Sequence, residues 1–294
     1  MFGSLDTRAR LACFYAGAMW GLFWVPLRHM AEAGIHEVWI TPLYFLVPTV
    51  IALPLVIIRL PSIMRGGITL QLTMLASGTA LTLYSTSIVY TDVVRAIMLF
   101  YLMPFWSIVL ARIFLKEEIT PVRIVSMILG AIGLLVLFGL GAGWPIPRNV
   151  GDWIGLFAGF FWAVTTVRMR KYEEQSSIDL TIGFFVWSVI LSSAIAVMLV
   201  PLQFPSMDQV ISVLPVLGVF MLLIIVPGTY ASLWGPKFVN PGVSGLLFMS
   251  EIVVGAISVA LLAGEPFGSR EMAGVILIAG ASLLEPLMNV IRRS

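Results

Sequence analysis

Glu251 is the residue of this chain best placed to do chemistry. It is the sole ionisable side chain between Lys237 and Glu265, in the middle of an otherwise apolar run. Where such a run crosses a membrane, a charge near its centre costs at least ~2.5 kcal/mol, and groups kept there are as a rule functional. Two chemistries suit it: holding a substrate ammonium, or exchanging a proton. The competing interpretation is a protonated Glu hydrogen-bonded to a neighbouring helix. Ser244 and Ser258 lie seven residues either side of it, with Phe248 and Gly255 between. A continuous helix would gather these on one polar stripe facing a cavity rather than lipid.

A second stripe runs through Thr79, Thr82, Thr86 and Tyr90, with Tyr84 and Ser87 beside it. These hydroxyls can line a binding site, or bond back to their own helix. Trp20, Trp24, Tyr101, Phe105 and Trp162 fall at the middle of apolar runs or one turn away. Trp and Tyr normally collect at membrane interfaces, so buried ones need a partner for their donor hydrogens. An aromatic pocket is one solution; packing is the other. Pro104 and Pro227 each interrupt a helical ladder and are candidate hinges, although a static bend has the same sequence signature. Asp92 and Arg95, three apart at the outer start of the run that contains Pro104, are placed to pair with each other or to gate the outer mouth. The pairs Gly17/Gly21 and Gly155/Gly159 have the small-xxx-small spacing that lets helices approach closely.

Other chemistries find no residues to carry them. His29 and His36 do not have metal-site spacing, and the single cysteine, Cys13, offers neither a disulfide nor a metal cluster. No GxxxxGK phosphate loop is present, so any driving force is expected from a gradient. GLGAG at 139–143 lacks a following helix start and reads as a flexible exit. Neither cofactor nor metal is expected. A net charge of +2 gives no nucleic-acid footprint.

The elements that must position these residues are membrane helices. Sixty per cent of the residues are hydrophobic and 11% charged, against about 25% charge in soluble domains. Ten runs, approximately 10–28, 37–58, 67–91, 93–115, 121–143, 150–170, 178–202, 208–235, 240–264 and 271–291, each approach the ~20 residues that span ~30 Å of hydrocarbon. Continuous apolar runs point to helices, not barrel strands. The first is a retained span rather than a cleaved signal, because no cleavage site follows it cleanly.

The chain also repeats itself. A shift of 147 lays residues 94–137 on 241–284, pairing Glu118 with Glu265, Gly133 with Gly280 and Pro104 with Glu251; a shift of 142 pairs Gly17 with Gly159 and Trp20 with Trp162. Two echoes in the same order suggest homologous halves, 1–145 and 146–294. With a cytoplasmic N-terminus, thirteen basic residues fall inside and four (Arg28, Arg95, Arg148, Arg270) outside, so both termini are expected in the cytoplasm. Five spans per half, an odd number, then invert the second half, an arrangement typical of transporters.

Trp20-Gly21 with its echo Trp162-Ala163, Pro104 followed by the acidic turn Glu117-Glu118, and the glycine-spaced closing helices resemble the drug/metabolite transporter superfamily, EamA type, and within it the bacterial aromatic amino-acid exporters. Glu251 departs from that pattern, which has a proline near this place. The resemblance implies an all-α integral membrane protein with ten transmembrane helices, two inverted five-helix repeats, and a central cavity lined by the first, third, fourth, sixth, eighth and ninth helices. It implies an exporter, not an enzyme, in a cell inner membrane. Trp20, Trp24, Thr82, Tyr84, Tyr101, Trp162, Ser244, Phe248 and Glu251 are the expected substrate contacts, with Pro104, Pro227, Asp92 and Arg95 for gating. Amino acids, including apolar ones, suit an aromatic wall with Glu251 for the ammonium. Cationic drugs or other metabolites, and a membrane protein that transports nothing, are the alternatives. The expected partners are the substrate and the lipid bilayer, and the expected state a monomer.

Overall fold

A computed structural model describes residues 4–138, 146–200, 204–263 and 267–291. The GLGAG stretch and Glu265 lie outside them. Among the described residues the chain is helical and has no strand. The first half supplies α1 (Leu5–Trp20), α2 (Trp24–Glu32), α3 (Glu37–Ile51), α4 (Leu53–Arg65), α5 (Gly67–Tyr90), α6 (Val93–Phe100), α7 (Met103–Phe114) and α8 (Pro121–Phe138). The second supplies α9 (Val150–Lys171), α10 (Ser177–Leu199), α11 (Met207–Phe220), α12 (Val226–Trp234), α13 (Pro241–Phe248), α14 (Ser250–Ser258) and α15 (Ser269–Ile291). The described part of every apolar run of the sequence falls mainly on one of these helices or on two or more in succession.

Seven stretches of the described residues are long and apolar enough to cross a membrane, or eight if α3 and α4 form one span. This makes the chain a multi-pass membrane protein. The run 37–58 is not the straight span expected: α3 and α4 meet at 81°. Pro54 opens α4, and without an N–H it cannot carry on the hydrogen-bond ladder of α3.

Polar residues at the ends start the helices. Asp92 caps α6 by accepting from the Val94 N–H, and Asn240 caps α13 by accepting from the Gly242 N–H. Both helices are eight residues long, and after each a short break precedes the next helix: Tyr101–Leu102 before α7 at Met103, and Met249 alone before α14 at Ser250. Counted from the caps, the two breaks correspond at a shift of 148, one more than the sequence echo, so Met103 rather than Pro104 is the counterpart of Glu251. Pro104 itself sits in the first turn of α7, where a missing N–H costs nothing.

Glycines set the packing. Gly133 lies against Ile278, Gly274 against Leu137 and Gly130 beside Ala281, so α8 and α15 run antiparallel. Gly242 against Ile108 and Gly245 against Pro104 make α7 and α13 antiparallel as well. In contrast α1 runs parallel to α13–α14, with Gly17 at Phe248 and Gly21 at Glu251 and Val254. Similarly α9 runs parallel to α6, with Gly155 at Ala96 and Gly159 at Phe100.

Candidate functional site

A narrow cavity of about 440 Å³ lies where the helices break. α1 stops at Trp20 and the chain turns through Gly21–Phe23 before α2. A Cβ on Gly17 would stand 2.7 Å from the Phe248 carbonyl oxygen, and one on Gly21 2.6 Å from that of Glu251. Backbone therefore meets backbone here, which brings Trp20 beside Glu251. In the other half a Cβ on Gly159 would stand 2.4 Å from the Phe100 carbonyl oxygen, and Trp162 follows one turn later on the unbroken α9.

The lining comprises Gly17, Trp20, Phe23, Leu81, Tyr84, Phe100, Met103, Trp162, Ser232, Phe248 and Glu251. These belong to the first, third, fourth, sixth, eighth and ninth apolar runs. Five of the nine residues expected to touch substrate are among them: Trp20, Tyr84, Trp162, Phe248 and Glu251. The rings form two edges, with Trp162 and Phe248 centroids 6.0 Å apart and Tyr84 and Phe100 4.5 Å apart. Glu251 is the lone charged residue in the lining; among the described residues its carboxylate has no ion-pair partner, and Tyr101 stands beside it. Such a wall can hold an apolar or aromatic body by non-directional contact, with one carboxylate to select a cationic or proton-donating group.

The other four stand elsewhere. Tyr101 is buried next to Glu251, but its hydroxyl lacks a well-formed hydrogen bond. Trp24 Nε1 donates to Ser258 Oγ at 2.9 Å, tying α2 to α14. Ser244 Oγ donates to the Pro241 carbonyl of its own helix at 2.9 Å. The stripe through Ser244, Glu251 and Ser258 thus does not form, because its seven-residue spacing assumes a helix unbroken at Met249. Thr82 is buried behind the wall with its hydroxyl unpartnered.

Sequence periodicity passed over Phe23, Leu81, Phe100, Met103 and Ser232. Phe100 shows why: the break at Tyr101 turns the residue before it into the cavity, and a period drawn through a continuous helix points to Tyr101 instead. Gly17 and Gly159 were the usable signal, since a helix pressed so closely onto another run brings that run's neighbours into the site.

Among the gating candidates, Asp92 and Arg95 do not pair. Asp92 is occupied as the cap of α6, and Arg95 reaches instead across to α9, where Nη2 and Nε lie 2.5 and 3.1 Å from Asp152 Oδ2. Fully buried Asp152 also accepts from Thr91 Oγ1 at 2.6 Å and from the Arg148 N–H at 2.9 Å. A carboxylate satisfied by this many donors outcompetes one already used as a cap. Pro227 lies in the first turn of α12, just after a π-helical segment, Met221–Ile225.

The sequence profile of the EamA-like transporter family matches residues 7–139 and 149–284. A riboflavin transporter of Brucella anthropi is 26% identical over 155 residues, which are 50% of this chain and 53% of that protein. The chain thus matches about half the length of that relative. A protein known from a crystal structure superposes with a TM-score of 0.76 at 17% identity, covering 98% of this chain and 99% of that one, a likeness of fold alone.

Proposed function

Because the chain belongs to the EamA-like transporter family, we propose that it is a secondary transporter that exports small metabolites by alternating access through the aromatic cavity at Glu251. The family consists of transporters rather than enzymes. The observation that carries the proposal is the cavity itself: helix breaks from both halves meet around one unpaired carboxylate. Ten spans in two inverted repeats, 1–145 and 146–294, fit this best. The antiparallel packing of α8 on α15 and of α7 on α13 supports the inversion, as do the equal lengths and equivalent caps of α6 and α13. Inverted halves can exchange roles as the site opens to one side and then the other. The basic residues favour a cytoplasmic location for both termini, in a cell inner (plasma) membrane.

For the substrate, amino acids with apolar or aromatic side chains match the wall. Glu251 would take the ammonium, Trp20 Nε1 and the Tyr101 hydroxyl, both unpartnered, the carboxylate, and the rings of Trp20, Tyr84, Trp162 and Phe248 the side chain. A second substrate, a flat heteroaromatic molecule of the riboflavin kind, is favoured by the relative's name and by the planar lining. The test is uptake of labelled amino acids and of riboflavin into proteoliposomes, with and without a pH gradient. Saturable uptake competed by several amino acids supports the first substrate; uptake of riboflavin alone favours the second. Flux of neither, from folded protein, overturns both.

A further inference from the structure

A second crevice, of about 310 Å³, lies between α3, α5 and α10. Its mouth is formed by the exposed start of α3 at Glu37 and the ends of α5 and α10 at Tyr90 and Leu199. Hydroxyls line its interior: Thr41 on α3, Ser85 and Thr86 on α5, and Ser192 on α10. The same two helices, α3 and α5, separate it from the central cavity. On α5, Leu81 and Tyr84 face the cavity while Ser85 and Thr86 face the crevice. On α3, Tyr44 follows Thr41 by one turn, and its ring packs edge-on against Phe23 of the cavity lining at 4.7 Å.

This dividing wall leaves several polar groups unmatched. The hydroxyls of Tyr44, Thr82 and Ser85 are buried and unpartnered, as is that of Ser188 on α10. Buried polar groups are almost always satisfied, and where protein does not serve them, ordered water does. We infer that the crevice is a water-filled branch through which protons reach Glu251 from the face bearing Glu37, separate from the path of the substrate. The transfer is a relay: water in the crevice gives a proton to the Tyr44 oxygen as the Tyr44 hydroxyl passes its own toward the Glu251 carboxylate. One proton moves inward and the phenol ends unchanged. The titratable groups near enough to Glu251 to feel its charge are Tyr44 from α3, Tyr84 from α5 and Tyr101 from the α6–α7 break; α1 presents Trp20. Of these, Tyr44 stands one turn from Thr41 of the crevice and packs on Phe23 of the cavity.

The inference rests on the transport proposal for its purpose and on the proposed orientation for the name of the side, yet its test needs no substrate. A hydrophobic carbodiimide reacts with a protonated buried carboxyl, so its rate of attachment to Glu251, read by mass spectrometry with Glu251→Gln as the blank, reports the proton there. The full chain is reconstituted in oriented vesicles and the pH is jumped on one side at a time. Labelling should follow the pH on the Glu37 side. Tyr44→Phe, which keeps the ring, and Val89→Trp, which plugs the mouth, should each slow that response about tenfold or more, since positioned groups speed proton transfer by ~10²-fold or more. A response to the opposite side alone, no response to either, or an unchanged response in both variants overturns the branch. Failure of the uptake panel would leave the labelling result standing and count against the transport proposal only.

Discussion

Glu251 and Asp152 are both carboxylates of membrane helices, yet their surroundings give them opposite parts. Asp152 is enclosed by Arg95, Thr91 and the Arg148 N–H, so it binds two helices together and has no lone pair to offer a substrate. Replacing Asp152 by Ala takes the carboxylate from the half-buried Arg95 guanidinium, and breaking a buried pair costs about 3–5 kcal/mol at most. A much lower melting temperature in detergent is expected, with a milder loss for Asp152→Asn. Glu251 has the reverse character: among the described residues no cation is paired with it. Glu251→Gln should therefore leave the melting temperature nearly unchanged while lowering kcat/KM for a cationic substrate by about 10- to 100-fold, the worth of a hydrogen bond to a charged group. A melting temperature that falls with activity would instead make Glu251 a structural residue. The charge of Glu251 and its isolation were visible in sequence. The pairing of Arg95 was not, because Asp92 is nearer in the chain and the competing claim of the α6 backbone on Asp92 appears only once the helix start is known.

Helix interruptions create the site, and the glycines opposite them fix its dimensions. Gly159 meets the Phe100 carbonyl of the α6–α7 break, and Gly17 meets that of Phe248 at the α13–α14 break. Since backbone on both sides leaves little room to yield, Gly159→Ala should destabilise by about 1–3 kcal/mol, the usual cost of overpacking, and reduce transport. Gly218 in α11 has nothing within 4 Å of its would-be Cβ. There the same substitution should be neutral or stabilise by up to ~1 kcal/mol through helix propensity. Thermal unfolding of the two variants side by side checks the contrast, and equal shifts would mean that close backbone approach does not govern this fold. Most helices were legible because an apolar run of the right length admits little else in lipid. The breaks were less so. A break is a departure from periodicity, and Tyr101 and Met249 carry no proline or glycine of their own to announce it; Pro104 lies beyond the break that it helps to restart.

At the scale of the whole molecule, the pairing of helices is nearly the same when the halves are exchanged. α5 packs on α9 as α12 packs on α1, and α6 and α7 on α9 as α13 and α14 on α1, while α8 on α15 and α3 on α10 join corresponding spans. Charge does not follow this symmetry: the Arg95–Asp152 clamp ties α6 to α9, whereas the equivalent positions in the α13–α1 contact are Val243 and Arg10, and Arg10 is paired with Asp6. Each mouth thus has its own polar fastening: Arg95–Asp152 at one, and at the other Arg170, which meets Glu117 at 3.5 Å and the Lys237 carbonyl at 2.9 Å, a difference that an echo of glycines and tryptophans could not reveal. The inversion itself has a direct test, since it follows from an odd number of spans per half. Cys13 is fully buried, which leaves a low background for maleimide labelling of introduced cysteines in oriented vesicles. Glu118→Cys and Ser269→Cys lie in the corresponding turns of the two halves, both at exposed positions, and Glu37→Cys marks the crevice mouth. Inverted halves require Ser269→Cys and Glu37→Cys to react from one side of the membrane and Glu118→Cys from the other. Were Glu118→Cys and Ser269→Cys to react from the same side, each half would have an even number of crossings, and rocking of two opposed halves could no longer be the transport cycle.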